Sequence, residues 1–279
     1  MGNATITLQT MLFGLYRRLF ARPACYYFNR LLFELSLRGL GLLNAEDEQA
    51  SGELFLIDQL LSQLPAPVVL DVGANQGRYS TMVRQRISSS AVWAFEPHPA
   101  TFRHLAAASK TFAFQAVPCG MGNTVGSFNL YDRQSGDGTE HASLYRDVIE
   151  GIHARDAVSV EVVVTTIDSF MAEQGISEIG LLKIDTEGHE YQVLQGAQKT
   201  LEAGKIAMIQ IEFNEMNTVS RVFCRDFIEL LKGYAPFRLL PGSLLPLTPY
   251  RPLRHELFGF QNLVFIRNDL LPQLWPEAD

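Results

Sequence analysis

The feature that most constrains this chain is a five-residue apolar run, Val68-Val-Leu-Asp-Val72, which passes straight into a turn with glycines at 73 and 77. Pro65 and Pro67 stop what precedes it, and a helix-like stretch opens at Arg78. A short run of this kind reads as a buried strand, and strands covered on both faces belong in a parallel sheet between helices. Similar runs follow at Ala91–Phe95, Phe112–Val117, Gly126–Tyr131, Ser159–Thr165, Gly180–Ile184 and Ile206–Ile211. A closing pair lies near Phe237–Leu240 and Phe260–Ile266. Helical stretches alternate with these runs, which predicts an α/β fold with a doubly wound, mostly parallel sheet.

Residues 1–66 read instead as a helical N-terminal extension, leaving 67–279 for the α/β domain. Within the extension Leu54, Ile57, Leu61 and Leu64 recur at helical spacing before Pro65. Farther upstream, Met11–Tyr16 is apolar but is followed by Arg17, Arg18 and Arg22, so no stretch is long enough to span a bilayer. No small-residue cleavage site closes a signal peptide there. Such a basic, aromatic-rich segment can rest on a membrane surface; packing on its own domain is the preferred reading. Cys25, Cys119 and Cys224 lack the spacing of a zinc or redox site, so a reduced, cytoplasmic setting is expected. A formal charge of −7 offers no global basic field for nucleic acid or an anionic membrane and leaves only a local basic patch open. Two segments read as irregular: a polar loop over Asp132–Gly138, and the proline-rich stretch Pro241–Pro252, a candidate lid or a rigid surface connection.

Asp71-Val-Gly73-Ala74-Asn75-Gln-Gly77 lies where open α/β sheets bind ligands, at the carboxyl end of a strand. Glu96 ends the next strand, where an acid can accept hydrogen bonds from both hydroxyls of a ribose. Dinucleotide loops read G-x-G-x-x-G and face a pyrophosphate. This one has only Gly73 and Gly77, and it places Asp71 where a pyrophosphate would be repelled. A sulfonium nucleoside with an amino-acid tail has no phosphate, and its ammonium suits a carboxylate. The loop therefore favours S-adenosylmethionine over NAD; a glycine turn with Asp71 as a simple helix cap is the bland alternative.

Four stretches resemble the FkbM-type family of S-adenosylmethionine-dependent methyltransferases: Asp71–Gly77, Ala94-Phe-Glu-Pro-His-Pro99, Val163–Phe170 and Leu182-Lys-Ile-Asp-Thr-Glu-Gly-His-Glu–Ala197. The likeness covers roughly Asn29 to Glu215. It implies a seven-stranded, Rossmann-like class I methyltransferase sheet and methylation of an oxygen, often on a sugar or polyketide hydroxyl. It maps cofactor contacts onto Asp71, Gly73, Asn75, Gly77 and Glu96, with Gln115, Ala116 and Val117 beside the adenine. Around Cys119–Gly122 the chain departs from the family's pattern. Pro97 and His98 follow Glu96 and would line the ribose or adenine edge.

Methyl transfer asks the protein to align the acceptor and remove one proton. Asp185 and Glu212 end neighbouring strands and are the first candidates for that role. By analogy with metal-dependent enzymes of this fold they could instead hold Mg²⁺. His189 is a third candidate, since a helix N-terminus favours its neutral form. Glu190 suits a structural place at the same helix start, and Glu187 is open between the two roles. His141, His153 and His255 read as solvated, and Phe95, Phe112 and Phe114 as core. The acceptor is expected to be a small molecule or a glycan. Two rivals stand beside this reading: a NAD-dependent oxidoreductase or epimerase, and a non-catalytic binding protein on the same fold. The first lacks a Tyr-x-x-x-Lys pair, because Tyr191 leads to Gln195 and Tyr234 to Arg238.

Overall fold

The computed structural model describes residues 2–133 and 142–276. Its eleven strands are β1 (Val68–Val72), β2 (Ala91–Phe95), β3 (Gln115–Val117), β4 (Gly120–Met121), β5 (Gly126–Arg133), β6 (Ala157–Thr165), β7 (Ile179–Ile184), β8 (Ile206–Phe213), β9 (Tyr234–Leu240), β10 (Ser243–Pro246) and β11 (Gln261–Arg267). Eight of them form one sheet in the order β10-β9-β11-β8-β7-β1-β2-β3. The five strands from β3 to β8 are mutually parallel, while β11 and β10 pair antiparallel with their neighbours. The sheet therefore winds outward in both directions from the seam between β1 and β7. In open α/β sheets the ligand crevice lies at such a reversal.

The sheet is larger than the expected seven strands by β10, which lies inside the stretch read as either a lid or a rigid surface connection. There Ser243–Pro246 turns back and pairs with Phe237–Leu240, burying Leu244. Pro246 is tolerated because β10 is an edge strand.

The runs read as Gly126–Tyr131 and Ser159–Thr165 are strands, but they leave the main sheet and form a second, three-stranded one ordered β4-β6-β5. Their pattern explains why. On β5 only Leu130 and Asp132 are buried, and on β6 only Val162 and Val164, so each has one apolar face and suits an antiparallel layer. Asp132, read as the start of a loop, is a buried residue of β5; residues 134–141, including His141, lie outside the described residues. Likewise, Phe112 ends the helix Pro99–Phe112 rather than opening a strand, and Ala113 reverses the chain at φ +58°.

Alternation along the strands assigns each residue to one of two cores. Leu70, Val72, Leu182, Ile184, Ile209 and Ile211 face one; Val69, Leu181, Met208 and Val264 face the other. The segment read as one helix over Glu53–Leu64 is three short pieces, with π and 3₁₀ turns at Leu56–Leu60 and Leu61–Gln63. This changes which side faces in: Leu56, Ile57, Leu60 and Leu61 are fully buried in the second core, whereas Leu54 and Leu64 lie at its rim. Upstream, Leu37 is the one buried residue of helix Tyr26–Gly39, and none of the described side chains at 8–20 in helix Gly2–Phe20 is buried.

Candidate active site

Loops after β1 and β7 part at the seam, and the backbone there is too crowded for a side chain. A Cβ on Gly73 would sit 1.7 Å from the carbonyl oxygen of Asp185, and Gly73 holds φ +79°. The turn is anchored by Gly73 N–H and Ala74 N–H, both donating to Phe95 O at 3.1 and 2.9 Å. Asn75, at φ +49°, then donates its backbone N–H to Glu96 Oε2 at 3.1 Å. The loop after β1 and the acid ending β2 are thus one unit. Gly77 is needed for a different reason: a Cβ there would come within 2.7 Å of Leu105 and 3.0 Å of Phe114. It lets the following helix lie against its neighbours and lines neither of the two cavities described next.

A cavity of about 710 Å³ opens over this unit. Val72, Gly73, Asn75, Glu96 and Pro97 form its floor, Asp185, Thr186, Glu187 and His189 one side, and Gly120, Met121, Leu130, Val162 and Val164 the other. The small sheet is therefore a wall of the cavity. A second cavity, about 1080 Å³, lies across Gly73 and Asn75; it adds Asp47, Glu48, Ser51, Glu53, Arg78, Tyr79, Lys183, Glu212 and Phe260. Gly73, Asn75, Asp185 and Glu187 border both.

Glu96 is buried, and Oε1 also accepts the backbone N–H of His98 at 2.8 Å. Burial pushes its carboxyl up to about 7 despite these two bonds. Each oxygen keeps a lone pair for a donor in the first cavity, and beside it the buried Asn75 Oδ1 has no hydrogen-bond partner among the described residues. An adenosine-type ligand, with two vicinal hydroxyls and amino groups, fits these acceptors.

Other expected contacts lie elsewhere. The Asp71 side chain lines neither cavity; it is fully buried, accepting from Ser80 Oγ at 2.7 Å and lying 3.6 Å from Lys183 Nζ. Strand parity is the reason: Asp71 shares its side of the sheet with Val69, facing the second core. Gln115, Ala116 and Val117 do not line the first cavity; after β3 the chain meets it at Gly120 and Met121. His98 caps the helix Pro99–Phe112, its Nδ1 accepting from Ala100 N–H at 3.3 Å, and Nε2 faces Asp132 at 3.8 Å. Ala74 is buried at the rim of the second cavity.

Lys183 is the residue that sequence reasoning missed. It lies laterally between Asp71 on β1 and Gln210 on β8, on the same face of the sheet. Its Nζ is 3.1 Å from Asp185 Oδ2 and 5.4 Å from the centre of the Tyr79 ring. Burial opposes its charge, but Asp185, Asp71, Glu53 and Glu212 together hold the ammonium above the usual lysine range. Gln210 continues the row: it accepts from Tyr79 Oη at 2.7 Å and donates to Glu53 Oε1 and Asn262 Oδ1 at 2.9 and 3.0 Å. The available signal was a Lys and a Gln, each two positions from a strand-end acid in an otherwise apolar run.

Asp185 and Glu212 do converge on the second cavity. Burial, then the charges of Asp185 and Glu187, raises the Glu212 carboxyl well above the carboxylate range, and Asn214 Nδ2 donates to its Oε1 at 2.9 Å. Glu187, at φ +55°, is raised in the same way by burial, Asp185 and Glu190. The Mg²⁺ reading finds no support here: the described residues hold no group of three or more His, Cys, Asp or Glu disposed around a metal. The cation beside Asp71 and Asp185 is the Lys183 ammonium. Glu190 is structural, its Oε1 accepting from Thr186 N–H, Thr186 Oγ1 and Gly188 N–H, and its Oε2 from Asn217 Nδ2.

His189 borders the first cavity rather than the second. Burial lowers it to about 4, and Nδ1 lies 3.3 Å from Tyr145 Oη, so its ring is neutral at neutral pH. His255, read as solvated, is buried, and its Nδ1 accepts from Arg251 N–H at 3.1 Å.

The site is thus a strand-end crevice with a glycine turn and a buried acid, on a mostly parallel α/β sheet wound both ways from its centre. The chain belongs to the FkbM methyltransferase domain family, whose description matches residues 71–235. Among its relatives, methyltransferase sdnD of Sordaria araneosa is 28% identical over 165 residues, 50% of this chain and 64% of that protein. The 31-O-demethyl-FK506 methyltransferase FkbM of Streptomyces tacrolimicus is 29% identical over 193 residues, 61% of this chain and 72% of that one. Hexuronic acid methyltransferase AglP of Haloferax volcanii is 27% identical over 164 residues, 57% and 62% of the two. The match spans less than two thirds of the first of these relatives.

Proposed function

We propose that this protein moves a methyl group from S-adenosylmethionine to an oxygen, most suitably a hydroxyl of a sugar, glycolipid or other small natural product. One observation carries the cofactor reading: the Glu96 carboxylate and the Gly73–Asn75 turn are hydrogen-bonded to each other at the floor of one cavity. In this reading the adenosyl group lies in the first cavity, with Glu96 accepting from its ribose and Gly120 and Met121 beside its base. The acceptor enters the second. The sulfonium supplies the electrophilic methyl; the chain's own part is to align the acceptor and take its proton. Asp185, which borders both cavities, and Glu212 are the groups assigned to that proton. His189 lies on the cofactor's side, which favours a contact role for it over that of base. The acceptor class is drawn from relatives whose names specify O-methylation or a hexuronic acid, and an acidic cavity suits a hydroxylated acceptor better than an anionic polymer. We further propose a domain boundary near residue 40, upstream of the buried Leu56–Leu61 segment.

Calorimetry with S-adenosylhomocysteine and with NAD tests the cofactor. Binding of NAD alone would sink the reading. Mass spectrometry of a glycan or metabolite extract incubated with isotopically labelled S-adenosylmethionine then reports the acceptor.

A further inference from the structure

The two helices at the start of the chain present an apolar surface that no described residue covers. On Gly2–Phe20, residues Leu8, Met11, Leu12, Leu15 and Leu19 follow one another at helical spacing, and all five are exposed. On Tyr26–Gly39, Tyr27, Leu31 and Leu35 are exposed as well. The helices are joined to each other where they meet: Tyr16 Oη donates to Asn29 Oδ1 at 2.5 Å, Asn29 Nδ2 donates to Phe20 O at 2.9 Å, and the Phe20 and Phe28 rings stack at 5.2 Å. The result is a two-helix arm rich in exposed apolar side chains, with Phe13, Phe28 and Phe33 exposed beside the stripes.

Charge selects the occupant. Residues 1–40 hold five arginines and one glutamate, a net of +4, in a chain of net −7; the remainder therefore carries −11. The lone acid, Glu34, is already paired with Arg30 at 2.9 Å, and Arg38 is paired with Glu46. Arg17, Arg18 and Arg22, at the bend between the helices, meet no acid among the described residues. Arg17 falls on the side of its helix away from the leucine stripe. An apolar stripe with arginines behind and beside it is the pattern of a helix lying in the headgroup layer, leucines among acyl chains and guanidinium groups at the phosphates. No described helix is long and apolar enough to cross a bilayer, so the arm would lie on the surface. A second copy suits this arm less well, because it would bring two unpaired arginine clusters together.

We propose that this arm docks the enzyme on an anionic lipid surface. The test is flotation of the full chain with vesicles of phosphatidylcholine alone and of phosphatidylcholine mixed with phosphatidylglycerol. The chain is expected to float with the anionic vesicles, and high salt should release much of it. The variant R17E/R18E/R22E is expected to bind them on the order of 100-fold more weakly, at roughly one tenfold step or less per arginine removed. The variant L12E/L15E/L31E should lose binding too, while both variants keep the parent's thermal melting and S-adenosylhomocysteine affinity. No flotation of the parent chain, or flotation unchanged in both variants, overturns the proposal. So does a lipid-free dimer, seen by sedimentation, that dissociates in the leucine variant while the parent ignores vesicles. Because cofactor binding is read separately, failure here is distinguishable from failure of the methyltransferase reading.

Discussion

Glu96 faces opposing demands: burial favours its neutral form, while hydroxyl and amide donors favour the ionised one. With its carboxyl near 7 in the folded chain, above the ordinary value of 4.5, the folded state holds this proton more tightly than the unfolded. Stability from this group is thus fully present below about 4.5 and is lost as pH rises through about 7. Ligand binding runs the other way, since ribose hydroxyls donate to the carboxylate. S-adenosylhomocysteine should bind more tightly as pH rises from 6 to 8, with proton release visible as a dependence of calorimetric heat on buffer. Glu96→Gln should weaken binding by roughly 10- to 100-fold, the loss of charge-assisted bonds, and flatten that pH profile. A Gly73→Ala chain should lose at least ~3 kcal/mol in chemical denaturation, because the new methyl meets the Asp185 carbonyl at a φ that disfavours it. Asp185→Asn or Glu212→Gln should cut turnover by roughly 10²–10⁴ per folded molecule, the Asp185 variant also melting lower because it loses its pair with Lys183; full activity in both would retire them as proton acceptors. Gly73 and Glu96 were legible in the sequence because each follows directly from a strand end. Asp71 was misplaced because its facing depends on strand parity, and Gly120 and Met121 were missed because the chain approaches the cavity only after β3 has ended.

At the level of elements, the boundaries of β1 and β2 could be read from composition alone, since fully buried parallel strands are uniform apolar runs. The split into two sheets could not. A half-exposed strand such as β5 carries the same alternation wherever it pairs, and only the packing of Leu130, Val162 and Val164 over the cavity determines its partner. Lateral register was equally hidden. The row Asp71–Lys183–Gln210 joins three strands through residues far apart in the chain, and its buried members have opposite or complementary polarity. Removing one charge from such a row leaves the other uncompensated. Lys183→Met should therefore destabilise the fold by ~3–5 kcal/mol, whereas the double variant D71N/K183M should recover much of that loss. Equal destabilisation of the single and double variants would show that the ion pair is not the cause.

For the molecule as a whole, a ligand that grips the loops after β1, β2 and β7 ties together elements from both halves of the sheet. S-adenosylhomocysteine at about 100 times its dissociation constant should stabilise the chain by ~2.7 kcal/mol and raise its melting temperature, an effect absent with NAD. The seam between β1 and β7 has one more consequence. The glycine turn is made early in synthesis, yet the Asp185 carbonyl it rests against belongs to a strand that pairs with β1 only after the intervening β2–β6 segment has been laid down. Long-range pairings of this kind close slowly. A ribosome-bound fragment ending before β7 has half a crevice, because Asp185, Thr186, Glu187 and His189 on its far side have not yet been made.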